Sequence, residues 1–173
     1  MKVLVVGSGG RENAICWSIS LSKLTKQLFC TPGNAGIAEH ATCLNVKEDN
    51  FTGILDICKT YSIDLVVVGA EKPLANGLTD FLRINNVRVF GPSQKASMLE
   101  SSKTFTKNLC KNYNIPTADF QTFTDPISAK NYVENRDFPL VIKADGLAAG
   151  KGVIIAENLE IAKNSIDQMF SGF

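Results

Sequence analysis

A glycine-rich stretch, Lys143-Ala-Asp-Gly-Leu-Ala-Ala-Gly-Lys-Gly-Val153, lies between two short apolar segments. Residues 138–142 before it and 153–156 after it carry β-branched side chains, so each is predicted to be a strand, the first of them buried. Glycine lets backbone N–H groups approach an anion closely, and lysines at both ends add positive charge. The stretch therefore predicts a flexible loop between two strands that closes over a polyphosphate.

This loop differs from the Walker A phosphate-binding loop, which needs Gly-x-x-x-x-Gly-Lys-Ser/Thr followed by a helix. Here Gly146 and Gly150 are four residues apart, Gly152 follows Lys151, and a predicted strand follows the loop. An ordinary hairpin whose glycines serve tight turns is the alternative interpretation, and the stretch alone leaves both open.

Composition excludes several classes of protein. The chain has 173 residues, 45% of them hydrophobic and 20% charged, with 18 basic and 17 acidic side chains. These values are ordinary for a globular protein, and the balanced charge argues against nucleic acid as a partner. No apolar run is long enough for a membrane span, and the five scattered cysteines suit a reducing compartment, so a cytoplasmic location is expected. With His40 as the only histidine, neither structural zinc nor a Ser-His-Asp triad is expected unless His40 itself takes part.

The amino terminus begins a parallel α/β sheet. Residues 2–6 form an apolar segment that predicts a buried strand, and Gly7-Ser-Gly-Gly-Arg-Glu12 leads into a helix predicted over 12–22. Its apolar face is expected to hold Ala14, Ile15, Ile19 and Leu21. The turn lacks the third glycine of the dinucleotide fingerprint, because position 12 is Glu12, so a mononucleotide or a sugar phosphate is expected here rather than NAD.

The same pattern continues to Pro92. Further strands are predicted at 27–30, 42–46, 63–68 and 87–90, and helices at 50–59 and 74–85. Loops at 31–36 and 69–74 follow predicted strands, and in open α/β sheets such loops at the carboxyl ends of strands bind ligands. Glu71 is the carboxylate of interest in the second loop.

The second half is predicted to be smaller. A helical stretch over 94–112 contains Lys103, which by itself is an ordinary surface lysine. A strand at 118–123, a helix at 126–134, the two strands around the glycine-rich loop and an amphipathic helix at 157–169 follow. A three-stranded sheet is near the lower limit of independent stability, so we expect the natural sequence to continue beyond this chain.

Three groups of residues together carry a family resemblance: Val5-Val-Gly-Ser-Gly-Gly-Arg-Glu12, Val68-Gly-Ala-Glu-Lys-Pro-Leu74, and Glu100-Ser-Ser-Lys103 followed by 141–153. In this order they resemble the glycinamide ribonucleotide synthetase (phosphoribosylamine–glycine ligase) family of ATP-grasp enzymes, over nearly the whole chain. Three positions depart from the family pattern. Asn13 replaces a histidine, Ala70 a proline and Ser101 a glycine.

The resemblance implies a fold and a division of the chain. An open parallel-sheet, Rossmann-like (pre-ATP-grasp) domain is expected over 1–92, a helical linker over 93–117, and a partial α+β ATP-grasp subdomain over 118–173. The implied function is a purine-biosynthesis ligase that joins glycine to 5-phosphoribosylamine through an acyl phosphate and converts ATP to ADP and phosphate. The resemblance implies Mg²⁺ or Mn²⁺ as well, with ligands outside this chain, and little activity for the chain alone.

The resemblance also implies two sets of site residues. ATP phosphates would be bound by six residues, the first two of which are also catalytic: Lys103, Lys143, Gly146, Gly150, Lys151 and Gly152. The ribose phosphate and the amine would be bound by another six: Gly9, Gly10, Arg11, Glu12, Asn34 and Glu71. Two alternatives stay open, a non-catalytic α/β module that binds a sugar phosphate or nucleotide, and another ATP-grasp ligase.

Overall fold

The computed structural model describes residues 1–148 and 150–172. Ala149, inside the predicted loop, and Phe173, the last residue of the predicted second domain, lie outside the described residues. The chain divides into two compact units, Met1–Met98 and Leu99–Phe173. This division falls within the predicted linker 93–117, and a separate linker stays a prediction. No helix in the described ranges is both long enough and apolar enough to cross a bilayer.

Five parallel strands form the centre of the first unit, in the order β3-β2-β1-β4-β5. The strands are β1 (Lys2–Gly7), β2 (Gln27–Pro32), β3 (Thr42–Cys43), β4 (Leu65–Val68) and β5 (Val89–Phe90). The helices are α1 (Gly10–Ser20), α2 (Phe51–Tyr61), α3 (Glu71–Ala75), α4 (Leu78–Ile84) and α5 (Gln94–Ser101), which crosses into the second unit. The predicted parallel α/β sheet is therefore confirmed.

Helices cover both faces of this sheet, because alternate side chains of each strand point to opposite faces. Leu4 and Val6 of β1 are buried in one cluster with apolar side chains of α2 and α4. Val3 and Val5 are buried in another cluster, with Cys16 of α1. Each fully buried aliphatic side chain contributes about 1.5–3 kcal/mol to folding, so β1, apolar on both faces, is the centre of the core.

The buried face of α1 agrees with the predicted one at Ile15 and Ile19, which are partly buried against the cluster that contains Cys16, and differs from it elsewhere. Glu12 and Cys16 are buried, whereas Leu21 is 67% exposed and Ala14 is also exposed. The helix begins two residues earlier than predicted, at Gly10, and the sheet contacts the face that carries the carboxylate and the thiol. Apolar periodicity does not reveal the burial of Glu12, because that carboxylate is satisfied by a hydrogen bond from the Gly9 N–H in the loop before the helix.

Two long predicted helices are each divided in the structure. The segment 74–85 becomes α3 and α4, separated at Gly77, whose φ of +90° interrupts the helix. The segment 94–112 becomes α5 and α6 (Lys103–Asn112), because Ser102 adopts an extended conformation and its Oγ accepts a hydrogen bond from the Phe105 N–H. Ser102 is thus the N-cap of a new helix.

The second unit is a hairpin covered by two helices. Antiparallel β6 (Leu140–Lys143) and β7 (Val153–Ala156) pair with each other, and α7 (Pro126–Val133) and α8 (Leu159–Ser171) pack on their inner face. The predicted strand at 118–123 is wrong, since these residues are all described and form no strand. The sheet therefore has two strands rather than three. The strand predicted before the loop is confirmed as β6, but it is only half-buried, since Val141 is 55% exposed.

Candidate functional site

The carboxyl ends of β1 and β4 form the first candidate site, at residues 7–12 and 69–71, here called the switch-point loops. The chain leaves β1 towards β2 on one side, whereas β4 lies on the other side of β1. Such a reversal opens a crevice between the two loops. The N–H of Gly69 donates to the Val6 carbonyl at 3.0 Å, which holds the second loop against the end of β1.

Glu12 lies beneath these loops and is 4% exposed. Its Oε2 accepts a hydrogen bond from the Gly9 N–H at 2.7 Å. A Cβ atom at Gly7 or at Gly69 would lie 2.5 Å from the Glu12 side chain. Glycine at both positions therefore makes room for this carboxylate. The structure places Glu12 as a support of the loops, below the surface where Gly9, Gly10 and Arg11 lie.

Arg11 and Glu71 meet across the crevice. The Arg11 guanidinium lies 3.0 Å from the Glu71 carboxylate, and a second guanidinium nitrogen is 3.5 Å from the Gly69 carbonyl. The side chains are 61% and 45% exposed, and exposed ion pairs contribute only about 0–1 kcal/mol. An anion that enters the crevice can therefore compete with Glu71 for Arg11. Glu71 is the first residue of α3, so the predicted loop 69–74 ends at Ala70.

The amino end of α1 adds to the positive potential of this crevice. The helix begins at Gly10 and has eleven residues. The first N–H groups of a helix have no partner inside it and carry a partial positive charge, which favours an anion. Gly10 and Arg11 thus present backbone donors and a guanidinium at the same end of one helix.

Asn34 joins two of the loops at this edge of the sheet. Its Nδ2 donates to the Ser8 carbonyl at 2.7 Å, and its Oδ1 accepts from the Ile37 N–H at 2.9 Å. The predicted loop 31–36 is shorter than expected, because β2 extends to Pro32. Beside it, Asn13 Oδ1 is buried with no hydrogen-bond partner among the described residues. Asn34 is therefore placed to shape the crevice, with both ends of its amide already bonded.

Glu48 is a further carboxylate near this edge that the sequence analysis missed. Burial, and then the negative charge of Glu12, raise the pKa of Glu48 above its ordinary value, with Asp49 adding to the effect and Lys72 opposing it. No motif marks this residue, since it follows a strand of only two residues. Its place near Glu12 depends on the path of the loop that carries it, which no local sequence pattern records.

The glycine-rich loop, residues 144–152, is the second candidate site. At its base the Ala144 N–H donates to the Gly152 carbonyl at 2.8 Å. Gly146 has a φ of +93° and Gly150 a φ of +80°, a conformation that other residues rarely adopt. A Cβ atom at either glycine would have no heavy atom within 4 Å. The backbone conformation, rather than crowding, therefore requires these two glycines, and the loop surface around them is open.

Lys103 contacts this loop although it lies 43 residues away in the sequence. Its Nζ donates to the Gly146 carbonyl at 2.9 Å, and its backbone N–H donates to Asp145 Oδ1 at 2.7 Å. The structure thus brings together two of the predicted ATP-binding residues. Lys143 lies at the end of β6 on the exposed face of the hairpin, opposite Val153. Lys151 is exposed, and its N–H donates to the Ala148 carbonyl at 2.8 Å.

Asp145 is the residue at this site that sequence reasoning missed. Besides Lys103, the N–H groups of Thr104 and Gly146 donate to its Oδ1 at 3.3 and 3.0 Å, and Ser102 Oγ donates to Oδ2 at 3.1 Å. Partial burial alone would raise its pKa, but the hydrogen bonds from Thr104, Gly146 and Ser102 outweigh burial and hold the pKa of Asp145 below its ordinary value. The carboxylate is therefore the form that the surrounding donors stabilise.

The described residues do not fit a bound metal ion. In the ranges 1–148 and 150–172 no three His, Cys, Asp or Glu side chains converge in a way that could hold one.

Comparison with known proteins identifies the two halves of the chain separately. A family model described as "Phosphoribosylglycinamide synthetase, N domain" matches residues 1–100, and one described as "Phosphoribosylglycinamide synthetase, ATP-grasp (A) domain" matches residues 101–173. Phosphoribosylamine–glycine ligase of Rhizobium meliloti (strain 1021) is 49% identical over 172 residues, which cover 99% of this chain and 41% of that protein.

Solved structures agree with these matches. Phosphoribosylamine–glycine ligase of Thermotoga maritima superimposes with a TM-score of 0.73 at 30% identity. The superimposed region covers 95% of this chain and 38% of the Thermotoga chain. Biotin carboxylase of Campylobacter jejuni, solved as a β-γ-ATP complex, has a TM-score of 0.77 at 18% identity. The match covers 98% of this chain and 41% of the biotin carboxylase chain, and at this identity it shows a shared fold alone. The chain spans 40–41% of the length of the first curated relatives that it matches. The chain belongs to the phosphoribosylglycinamide synthetase family.

Proposed function

We propose that this chain provides the ribose-phosphate site and part of the ATP phosphate site of a phosphoribosylamine–glycine ligase. The observation that carries the proposal is the 2.9 Å contact between Lys103 Nζ and the Gly146 carbonyl. This contact joins Lys103, which the sequence alone does not distinguish from a surface lysine, to the first residues of the glycine-rich loop. The names of the relatives and the parallel sheet with its switch-point loops support the same function.

The proposed reaction has two steps. First, a carboxylate oxygen of glycine attacks the γ-phosphorus of ATP, the bond from that phosphorus to the bridging oxygen breaks, and ADP leaves. Second, the amine of 5-phosphoribosylamine attacks the carbonyl carbon of the acyl phosphate, inorganic phosphate leaves, and the nitrogen loses a proton. The reaction needs charge neutralisation at the phosphates, aligned reactants and a loop that keeps water from the acyl phosphate.

Each part of the chain has a role in this proposal. Lys103 and Lys143 neutralise ATP phosphate charge, and the glycine-rich loop covers the β- and γ-phosphates as a lid. The backbone of Gly9 and Gly10 at the amino end of α1, together with the Arg11 guanidinium, holds the ribose phosphate, while the Gly9 N–H itself stays bonded to Glu12. Glu71 contacts the amine or the ribose hydroxyl groups once a phosphate has taken its place beside Arg11.

The free cysteines support a proposed location. All five are free thiols, three of them buried. Unpaired thiols are typical of proteins kept in a reducing compartment, so we propose that the protein acts in the cytoplasm.

ATP binding to the 173-residue chain tests the nucleotide part of the proposal. Isothermal titration calorimetry with ATP is expected to give measurable binding, and Lys103→Gln is expected to weaken it roughly tenfold or more, since hydrogen bonds to charged groups are worth about 1.5–3 kcal/mol. Lys111→Gln, in the last turn of the same helix, removes the same charge away from the loop and is the matched control. Equal ATP affinity in Lys103→Gln and in the control would contradict the proposed role.

Turnover by the chain alone is a separate question. Because the chain spans 41% of the length of its relative, we expect groups outside it to be needed for the reaction. Glycine-dependent ADP release by the purified chain should therefore be undetectable, even where ATP and ribose 5-phosphate bind. Steady glycine-dependent release would show that these 173 residues hold a complete active site.

A further inference from the structure

The carboxylate of Asp145 occupies the amino end of α6. Its Oδ1 accepts from the N–H groups of Lys103 and Thr104, the first two residues of that helix, at 2.7 and 3.3 Å. Its Oδ2 accepts from the hydroxyl of Ser102, the N-cap residue, at 3.1 Å. N–H groups at this end of a helix lack partners within the helix, and a negative charge there is stabilising. A carboxylate more than forty residues away in the sequence thus completes the cap of α6.

Lys103 is attached to the loop at two points. Its backbone N–H reaches Asp145, and its ammonium group donates to the carbonyl of the next residue, Gly146, at 2.9 Å. A second bond within the loop, from the Gly146 N–H to Asp145 Oδ1 at 3.0 Å, turns that carbonyl and the carboxylate towards the same helix end. The position of the Lys103 ammonium therefore depends on where residues 145 and 146 lie.

The outer part of the loop differs from this root. Gly150 and Lys151 are exposed, and a Cβ atom at Gly150 would have no heavy atom within 4 Å. The bond from the Lys151 N–H to the Ala148 carbonyl, at 2.8 Å, stays within the loop. The loop is consequently held at residues 145–146 and open around residues 150–151.

We propose that Asp145 is a positioning residue that anchors the root of the glycine-rich loop to the amino end of α6 and so sets the place of the Lys103 ammonium for a nucleotide polyphosphate. As far as the nucleotide is concerned, this rests on the proposed function. The anchor acts through Lys103 and the backbone, and Asp145 itself, a carboxylate, does not contact the phosphates.

Amide hydrogen exchange on the full chain tests the anchor without any ligand. Asp145→Ala removes both acceptor oxygens and is expected to speed amide exchange at Lys103 and Thr104 at least about tenfold. Asp145→Asn keeps one carbonyl oxygen, so its exchange rates should lie between those of the unaltered chain and those of Asp145→Ala. Asp137→Asn, at an exposed carboxylate just before β6, removes the same charge and should leave these rates unchanged. Unchanged exchange in Asp145→Ala would overturn the anchor.

Calorimetry with ATP then tests whether the anchor positions Lys103. Asp145→Ala should weaken ATP binding about tenfold in the otherwise unaltered chain, but add little in a Lys103→Gln background, because the two changes remove one interaction. Additive losses, or an unchanged ATP affinity beside accelerated exchange, would overturn the positioning role. If the unaltered chain binds no ATP, the proposed function and the positioning role both fail, and the exchange rates alone decide whether the anchor exists.

A folding defect in Asp145→Ala would not remove the test. Ser102→Ala deletes the hydroxyl that donates to Oδ2 and also the acceptor of the Phe105 N–H, so exchange at Phe105 reports the loss of that cap while exchange at Lys103 and Thr104 reports the carboxylate contact. The Asp145→Asn and Ser102→Ala variants can then be compared by the same two measurements. Both should show smaller effects of the same sign. Faster exchange at Lys103 in neither of them would count against the anchor.

Discussion

The guanidinium of Arg11 and the carboxylate of Glu71 lie 3.0 Å apart, at the ends of β1 and β4. The two residues are sixty positions apart, and the family resemblance implies separate roles for them, Arg11 towards a phosphate and Glu71 towards an amine or ribose hydroxyl. In the structure they contact each other. A phosphate that binds Arg11 therefore competes with Glu71 for the guanidinium, and a Glu71 carboxylate that is displaced becomes available for its own contact.

Replacing Arg11 should affect ligand binding far more than stability. We expect Arg11→Gln to weaken binding of ribose 5-phosphate roughly tenfold, because a charged hydrogen bond to phosphate is lost, while the free energy of unfolding changes by less than about 1 kcal/mol. Titration calorimetry and urea denaturation measure the two quantities. Arg88→Gln, at an exposed arginine just before β5, is the control and should alter neither. Equal binding by both variants would argue against Arg11 as a phosphate ligand.

Two glycines of the first unit should respond to alanine in opposite ways. Gly69→Ala places a Cβ atom 2.5 Å from the buried Glu12 side chain, and such overpacking costs about 1–3 kcal/mol. A Cβ atom at Gly10 would have no heavy atom within 4 Å. Position 10 also lies in α1, and alanine is favoured over glycine in helices by up to about 1 kcal/mol. Urea denaturation should therefore show Gly69→Ala destabilised and Gly10→Ala unchanged or stabilised. Equal stability of the two variants would mean that Glu12 can move aside.

Lys143 should matter for the nucleotide and not for folding. It is exposed on the outer face of the hairpin, so Lys143→Ala removes charge without opening a cavity. We expect ATP binding to weaken roughly tenfold, as for loss of one charged hydrogen bond, with the thermal unfolding of the chain unchanged. An ATP affinity equal to that of the unaltered chain would exclude Lys143 from the phosphate site.

Glu48 should lower the free energy of unfolding of the first unit at neutral pH but not at acidic pH. Burial and the charges of Glu12 and Asp49 raise the pKa of Glu48, against the effect of Lys72, so its ionised form is disfavoured in the folded chain. A raised folded-state pKa adds stability below the unfolded value, and this stability is lost as pH rises through the folded value. Glu48→Gln should therefore be more stable than the unaltered chain at pH 7, with the difference disappearing below about pH 4.5.

Denaturant titrations between pH 3.5 and 7.5 measure this difference directly. Asp56→Asn, at an exposed carboxylate on α2, is a suitable control that changes the net charge by the same amount. A stability difference for Glu48→Gln that did not vary with pH would show that packing, rather than charge, distinguishes the two side chains.

Much of the first unit could be predicted because its strands are locally distinctive. β1 and β4 are apolar almost throughout, as strands covered on both faces are, and glycines follow both. The strand predicted at 118–123 shows the limit of this reasoning. Its alternation of polar and apolar residues suits a strand, but a strand also needs a neighbour for its N–H and C=O groups, and no local pattern records whether that neighbour exists.

The candidate site was predictable only in part for a similar reason. The glycine-rich loop and Arg11 are marked by residue type and spacing. The contact between Lys103 and Gly146 depends on how α6 meets the hairpin, and the role of Asp145 depends on backbone donors that any sequence would supply. Glu12 was expected to contact substrate because it stands in the motif, whereas its position is fixed by the space that Gly7 and Gly69 leave.

That space links three positions in evolution. Gly7 is the last residue of β1 and Gly69 directly follows β4, yet each leaves room for the same buried carboxylate. A lineage that acquired a side chain at either glycine would first have to shorten residue 12, and one that shortened residue 12 would leave the Gly9 N–H without its acceptor. A side chain at position 7 or at position 69 should consequently occur only together with a smaller residue at position 12.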